Sequence, residues 1–236
     1  MIATGRINVM LSLMDKLMLI SINPDKNKMW PLSLYIIQYG LKGAVILQLA
    51  DMKKIKVDKQ CIEVIDQSST GIEILDNILR AMKKAKRPVK LRTWVSGWTK
   101  YNKMLRDTAI YNLENNGMIR VEKDRILGIF SRKRYIVDNL YEHQKLIEGI
   151  RNAILNENMK KSDDITYLGA LMIVCGTYHA LFSREERKKI RKFISLVKKG
   201  DIFTEHNPLL KEVIAAVKYA ISEQQSAAVV VANVQS

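Results

Sequence analysis

The stretch that most constrains this chain is Leu32–Asp51, LSLYIIQYGLKGAVILQLAD, which carries no charge before Asp51 except Lys42. A helical run that is apolar nearly all round must be surrounded by other elements, so it belongs at the centre of the fold. Pro31 suits the first turn of such a helix, where a missing N–H is not needed. The small, basic step Gly40-Leu41-Lys42-Gly43 predicts an interruption, with one helix over Leu32–Gln38 and a second over Ala44–Met52. Gly40 and Gly43 leave the backbone beside Lys42 open to a ligand, near a helix start where N–H groups favour anions.

The flanking sequence supplies mostly helices to cover that run. Met10–Ile22 has apolar residues at helical spacing and stops at Asn23-Pro24-Asp25. Lys54–Asp58 and Gln60–Ile65 alternate polar and apolar residues and read as a short hairpin. Ser68-Ser69-Thr70, with Glu73 three residues after Thr70, predicts a capping box for a helix lined by Ile72, Leu75, Ile78, Leu79 and Met82. Leu91–Asn115 is helical in period with a break expected near Gly97, and Asn115-Asn116-Gly117 ends it. The segment MIRVEKDRILGIFSRKRYIV, Met118–Val137, is the clearest hairpin in the chain. From Asn139 onward the spacing predicts helices over Leu140–Glu157, Ile165–Phe182, Arg184–Lys199 and Leu209–Ser222. The expected fold is therefore mostly α: a single helical-bundle domain over residues 1–222 with one or two short β-hairpins, followed by a frayed tail over 223–236.

With 39 Lys+Arg against 24 Asp+Glu, the formal net charge is +15. Such a surplus repels itself unless an anionic partner relieves it, so phosphate-bearing surfaces are the first suspects. Cys61 and Cys175 lie between apolar neighbours and suit buried free thiols better than a disulfide framework. The early apolar stretch is broken by Asp15 and Lys16, which argues against a signal peptide, and no apolar window reaches the ~20 residues of a membrane span. Any membrane contact is then peripheral. His143, His179 and His206 share no metal-ligand spacing, and neither a phosphate loop nor a dinucleotide fingerprint occurs, so neither an enzyme nor a cofactor nor a metal is expected.

Two basic features remain after that elimination. Lys103 and Arg106 are three apart, on one helical face, and offer an ammonium with a forked guanidinium to a phosphate. The tip of the second hairpin holds Ile126, Leu127, Ile129 and Phe130 between Arg125 and the run Arg132-Lys133-Arg134. If exposed, such a tip inserts into a membrane interface, each fully buried side chain contributing ~1.5–3 kcal/mol and each nearby cation ~1 kcal/mol. The plainer alternatives are solvated charges on a basic protein and a tip folded back onto the core. A winged helix also fits in outline, with Lys100–Asn115 as recognition helix and Met118–Val137 as wing, although the wing's apex is apolar and the later helices gain no role.

The order of segments resembles a known family. GLKGAVILQLA is similar to the Gly-Leu-Arg/Lys-Gly-x-x-Leu-x-Glu-Leu-Ala stretch of the Golgi phosphoprotein 3 family. STGIEILDNIL, KMLRDTAIYNLENNGMI with its hairpin, and the helices around Leu168–Leu181 and Leu209–Ile221 follow in the family's order. The resemblance spans about Leu13 to Ser222 and rests on collinear order. It implies a non-enzymatic, mostly helical domain on the cytoplasmic face of a membrane, in eukaryotes bound to phosphatidylinositol 4-phosphate at the Golgi. It further implies a role as adaptor for the cytoplasmic tails of membrane enzymes. By position it assigns the head-group contacts to Lys42, Lys103 and Arg106, with Trp30 for a tryptophan whose ungapped position falls on Ser33. It also marks Ile126, Leu127, Ile129 and Phe130 as membrane-inserting. Lys42 in place of arginine cannot chelate a phosphate bidentately, which loosens selectivity. The expected partners are thus an anionic phospholipid surface, enzyme tails and a homo-oligomer, with nucleic acid as the runner-up.

Overall fold

A computed structural model describes residues 11–126, 130–159, 163–201 and 207–234 of the chain. The first helix, α1 (Leu13–Ile20), begins with a capping box in which Ser12 accepts from the Asp15 main-chain N–H and the Asp15 carboxylate accepts from Ser12 N. Two short strands, β1 (Ile22–Asn23) and β2 (Lys28–Met29), lead into α2 (Pro31–Asp51). α2 is one unbroken helix, so the interruption expected at Gly40–Gly43 does not occur. The glycines serve packing instead. A Cβ on Gly40 would lie 3.0 Å from Cys175 Sγ and 3.1 Å from a Leu17 methyl. One on Gly43 would lie 3.0 Å from methyls of both Leu171 and Val217. Both positions therefore need hydrogen in place of a side chain so that neighbouring helices can approach, and no helix start exists there to hold an anion.

After α2 come β3 (Ile55–Asp58) and β4 (Cys61–Val64), the expected first hairpin, which gains β5 (Val89–Lys90) as a third strand beside β4. Between them lies α3 (Glu73–Lys83), whose buried face is Ile74, Leu75, Ile78, Leu79 and Met82. Its N-terminus differs from the expected capping box. Thr70 N and Oγ1 donate to Asp76 Oδ1 at 2.7 and 2.6 Å, and Ser69 Oγ donates to Asp76 Oδ2 at 2.6 Å. Asp76, rather than Glu73, reaches back to the turn.

The expected break near Gly97 separates α4 (Leu91–Ser96) from α5 (Lys100–Asn115), and Trp98 at the junction has φ +40°. Trp98 packs edge-on against Trp94 and stacks on Tyr101, with ring centroids 5.1 and 5.6 Å apart. Gly117, at φ +65°, turns the chain into β6 (Ile119–Ile126) and β7 (Phe130–Val137). The remaining helices are α6 (Leu140–Leu155), α7 (Asp164–Val174), α8 (Tyr178–Leu181), α9 (Arg184–Lys189), α10 (Arg191–Lys199) and α11 (Pro208–Val234). Asp163 and Ser183 cap α7 and α9 as the sequence suggests, but Gly176 and Ile190 split the two longer helices expected there. Helical backbone in α11 extends through Val234, over most of the stretch read from sequence as a tail.

The fold is thus mostly α with short antiparallel hairpins, built around α2, which packs on α1, α4, α5, α7 and α11. Its residues Leu41, Ala44, Val45, Ile46 and Leu47 are fully buried. Burial pushes the Cys175 thiol up to about 12, consistent with a protonated, space-filling side chain at the α2–α7 contact. Among the described residues no helix is long and apolar enough to cross a membrane.

Candidate functional site

The α2 lysine is the most enclosed of the expected ligands. Lys42 is 0% exposed, and its ammonium donates to Val95 O at 3.0 Å and Gly97 O at 2.6 Å. Val95 lies in the last turn of α4 and Gly97 is its C-cap, where helix geometry leaves acceptors unpaired, so Lys42 closes that end from across the core. Burial lowers its pKa to about 8. The role expected of Lys42, a charge presented to a head group, is therefore replaced here by a structural one. Its ammonium has no exposed surface from which to reach a ligand.

Lys103 and Arg106 have the opposite character. Both lie on α5, Lys103 exposed and Arg106 half-exposed, with only a loose 3.8 Å approach of Arg106 Nε to Asp107. α5 packs against β6 of the hairpin. The Tyr135 hydroxyl has its pKa raised by burial, and the Arg106 charge opposes that rise. Tyr135 N–H in turn donates 2.9 Å to Asn27 O, tying β7 to the loop that ends at Trp30. Trp30 is the N-cap of α2 and half-buried, and its indole N–H has no hydrogen-bond partner among the described residues. The hairpin is thus packed on both sides by segments far apart in sequence, β7 against β2 just before Trp30 and β6 against α5.

The hairpin register adds to this arrangement. The pairs Val121↔Tyr135 and Lys123↔Lys133 alternate with Arg120↔Ile136 and Glu122↔Arg134, so the two sets occupy opposite faces. On one face charges are matched: Arg120 meets Asp138 at 2.9 Å and Arg134 meets Glu122 at 3.9 Å. On the other, Lys123 and Lys133 sit directly opposite each other, both exposed and without an acidic partner among the described residues. Like charges in that position destabilise a strand pair. Lys123 was not among the residues singled out from sequence. Counting cross-strand partners back from Ile126↔Phe130, a pair the register does contain, would have found it.

Nothing is described of the side chains of Arg125, Ile126, Phe130 and Arg132, and Leu127 and Ile129 lie outside the described residues, so the expected inserting tip has only its backbone register on view. Lys133 is exposed, and Arg134 is held against the body, its guanidinium 3.2 Å from the Asn27 side-chain oxygen when that amide is oriented to satisfy both partners. Among the described residues no group of His, Cys, Asp or Glu is arranged to hold a metal ion.

A helical domain that sets a cationic helix face beside a paired hairpin is the class defined by this arrangement. The particular family follows from comparison: residues 13–220 match the Golgi phosphoprotein 3 (GPP34) family, and the chain belongs to it.

Proposed function

We propose that this chain is a peripheral membrane protein that binds an anionic phospholipid head group of the phosphatidylinositol 4-phosphate type through the α5–hairpin face. The observation that carries the reading is the facing of Lys123 by Lys133 on the same face of a hairpin whose β6 strand packs against α5, the helix of Lys103 and Arg106. Lys103, Lys123 and Lys133, without acidic partners among the described residues, and Arg106, only loosely paired with Asp107, carry self-repulsion that an anionic surface relieves. Each such cation is worth ~1 kcal/mol beside an anionic leaflet, so four give useful but reversible attachment. The Trp30 indole N–H is buried without a partner among the described residues, so Trp30 would serve this face by holding the loop beside the hairpin and not as a donor to the head group.

In this reading Lys42 is a positioning residue. It holds the end of α4, and through the Trp98 turn the start of α5, so that Lys103 and Arg106 present one face. The hairpin tip, Ile126, Leu127, Ile129 and Phe130, flanked by Arg125 and Arg132, supplies the apolar part of the attachment. Membership of the Golgi phosphoprotein 3 family supports a non-enzymatic adaptor on the cytoplasmic side of a membrane, engaging short tails of membrane enzymes as a monomer or homo-oligomer. A winged-helix nucleic-acid binder is less well supported, because the family match extends through α6–α11, which that reading leaves without a task. Flotation with phosphatidylinositol 4-phosphate vesicles tests the proposal: Phe130→Asp should reduce binding, whereas a DNA binder is indifferent to that change and loses duplex affinity steeply with salt.

A further inference from the structure

A second concentration of positive charge lies on elements that the membrane reading does not use. Between α8, α9 and the start of α10 is a cleft of about 310 Å³ lined by Tyr178, His179, Arg184, Arg187, Lys188, Arg191 and Ile194. No acidic side chain lines it. The neighbouring Glu186 carboxylate is engaged elsewhere, accepting from Ser183 N–H at 2.8 Å and pairing with Arg151. Among the described residues Arg184, Lys188 and Arg191 form neither ion pairs nor side-chain hydrogen bonds, although all three are exposed.

The cleft is also partly preorganised. Arg187 donates from Nη1 to His179 O at 2.8 Å and to Phe182 O, so its guanidinium is fixed by main chain rather than neutralised by a carboxylate. The Tyr178 and His179 rings lie against each other at a 33° tilt with centroids 4.0 Å apart, and Lys198 lies over the Tyr178 ring at 5.5 Å. Burial and the charges of Arg187 and Lys198 hold the His179 imidazole below its ordinary pKa, as expected in a strongly positive field. Three guanidinium groups around one concavity match the forked acceptor geometry of phosphate oxygens better than a scattered cationic surface does.

We propose that this α8–α10 cleft is a second anion site, built for a phosphate-bearing ligand and independent of the α5–hairpin face. The shared chemistry is a phosphate group carrying two or more negative charges, supplied either by a soluble phosphate compound or by a lipid head.

The test is isothermal titration of the full chain with pyrophosphate at low ionic strength. Saturable binding is expected, weakened roughly a hundredfold by Arg184→Glu/Arg191→Glu, about tenfold for each charge-assisted contact. Lys189→Glu/Lys192→Glu makes the same charge change on the same helices outside the cleft and is expected to leave affinity within about threefold. All titrations and flotations are run in the Lys103→Ala/Arg106→Ala background, which removes the phosphate contacts of the membrane face and leaves this cleft as the site read. Absence of saturable binding, or equal weakening by the two charge-reversal pairs, overturns the proposal, the latter showing a response to net charge alone. Given the expected result, flotation with phosphatidate vesicles identifies the source. Loss of flotation in Arg184→Glu/Arg191→Glu points to a lipid head, and unchanged flotation to a soluble phosphate compound.

Discussion

Lys42 and Trp94 bind each other's helices in opposite directions. Trp94 Nε1 donates to Lys42 O at 3.1 Å, while the Lys42 ammonium reaches past it to the carbonyls of Val95 and Gly97. Both side chains are fully buried, so α4 is fastened to the central helix by polar contacts inside an apolar core. Lys42→Met removes that fastening and leaves two acceptors unpaired, an expected loss of about 1–3 kcal/mol in denaturant unfolding. Vesicle binding by the folded fraction is expected to weaken through the shift of α5 without being abolished, because the ammonium itself does not face solvent.

The same lysine gives a pH dependence. Its folded pKa of about 8 lies below its ordinary 10.5, so between those values the unfolded chain binds the proton more readily than the folded one. The penalty is full below pH 8 and is relieved as pH rises toward 10.5. The stability of the native protein minus that of Lys42→Met should therefore grow by about 2 kcal/mol from pH 8 to 10. A flat difference contradicts the buried charge.

Gly43→Ala tests close packing at the middle of α2. The added methyl meets Leu171 and Val217 at 3.0 Å and Val213 at 3.2 Å, contacts from two different helices that cannot both recede. The expected cost is about 1–3 kcal/mol by thermal or denaturant unfolding, despite alanine's better helix propensity. A gain in stability would show that the glycine serves flexibility instead.

His143, on α6, is buried, with the main chain of Leu19 and Ile22 beside its ring. Burial lowers its pKa, so protonation favours the unfolded state once pH falls below the ordinary value of 6.5. Stability should decline as pH drops below about 6.5, and His143→Leu should lessen that slope. An unchanged slope assigns the decline to other groups.

Much of this architecture is legible in the sequence because it rests on local signals. Helical period, the Asp163 and Ser183 caps, the αL glycine at Gly117 and the strand alternation each act within a few residues. The family resemblance, built on collinear segments, agrees with the family match over residues 13–220. What the sequence hides is set by distant partners. Gly40 and Gly43 read locally as a break, yet Cys175, Leu171 and Val217 show them to be contact points. Lys42 reads as an exposed charge because its acceptors lie more than fifty residues away. The Lys123–Lys133 opposition depends on hairpin register, which a one-residue slip would reverse.

Lys123→Glu separates folding from membrane affinity. It converts a like-charge cross-strand pair with Lys133 into an opposite pair, which should stabilise the hairpin by about 0.2–1 kcal/mol. The same change removes two units of positive charge from the proposed membrane face. Higher melting temperature with weaker flotation is the expected combination, and higher melting temperature with undiminished flotation would separate the lysine pair from lipid binding.

The central claim is that Lys103 and Arg106 present the charge that an anionic lipid head recognises. Flotation of native protein and Lys103→Ala/Arg106→Ala with vesicles containing phosphatidylinositol 4-phosphate, against neutral vesicles, tests it most directly. The account predicts that native protein floats only with the phosphoinositide vesicles and that the double variant, equally folded by circular dichroism, stays at the bottom of the gradient. Equal flotation of the two proteins, or no preference of the native protein for the phosphoinositide, contradicts it.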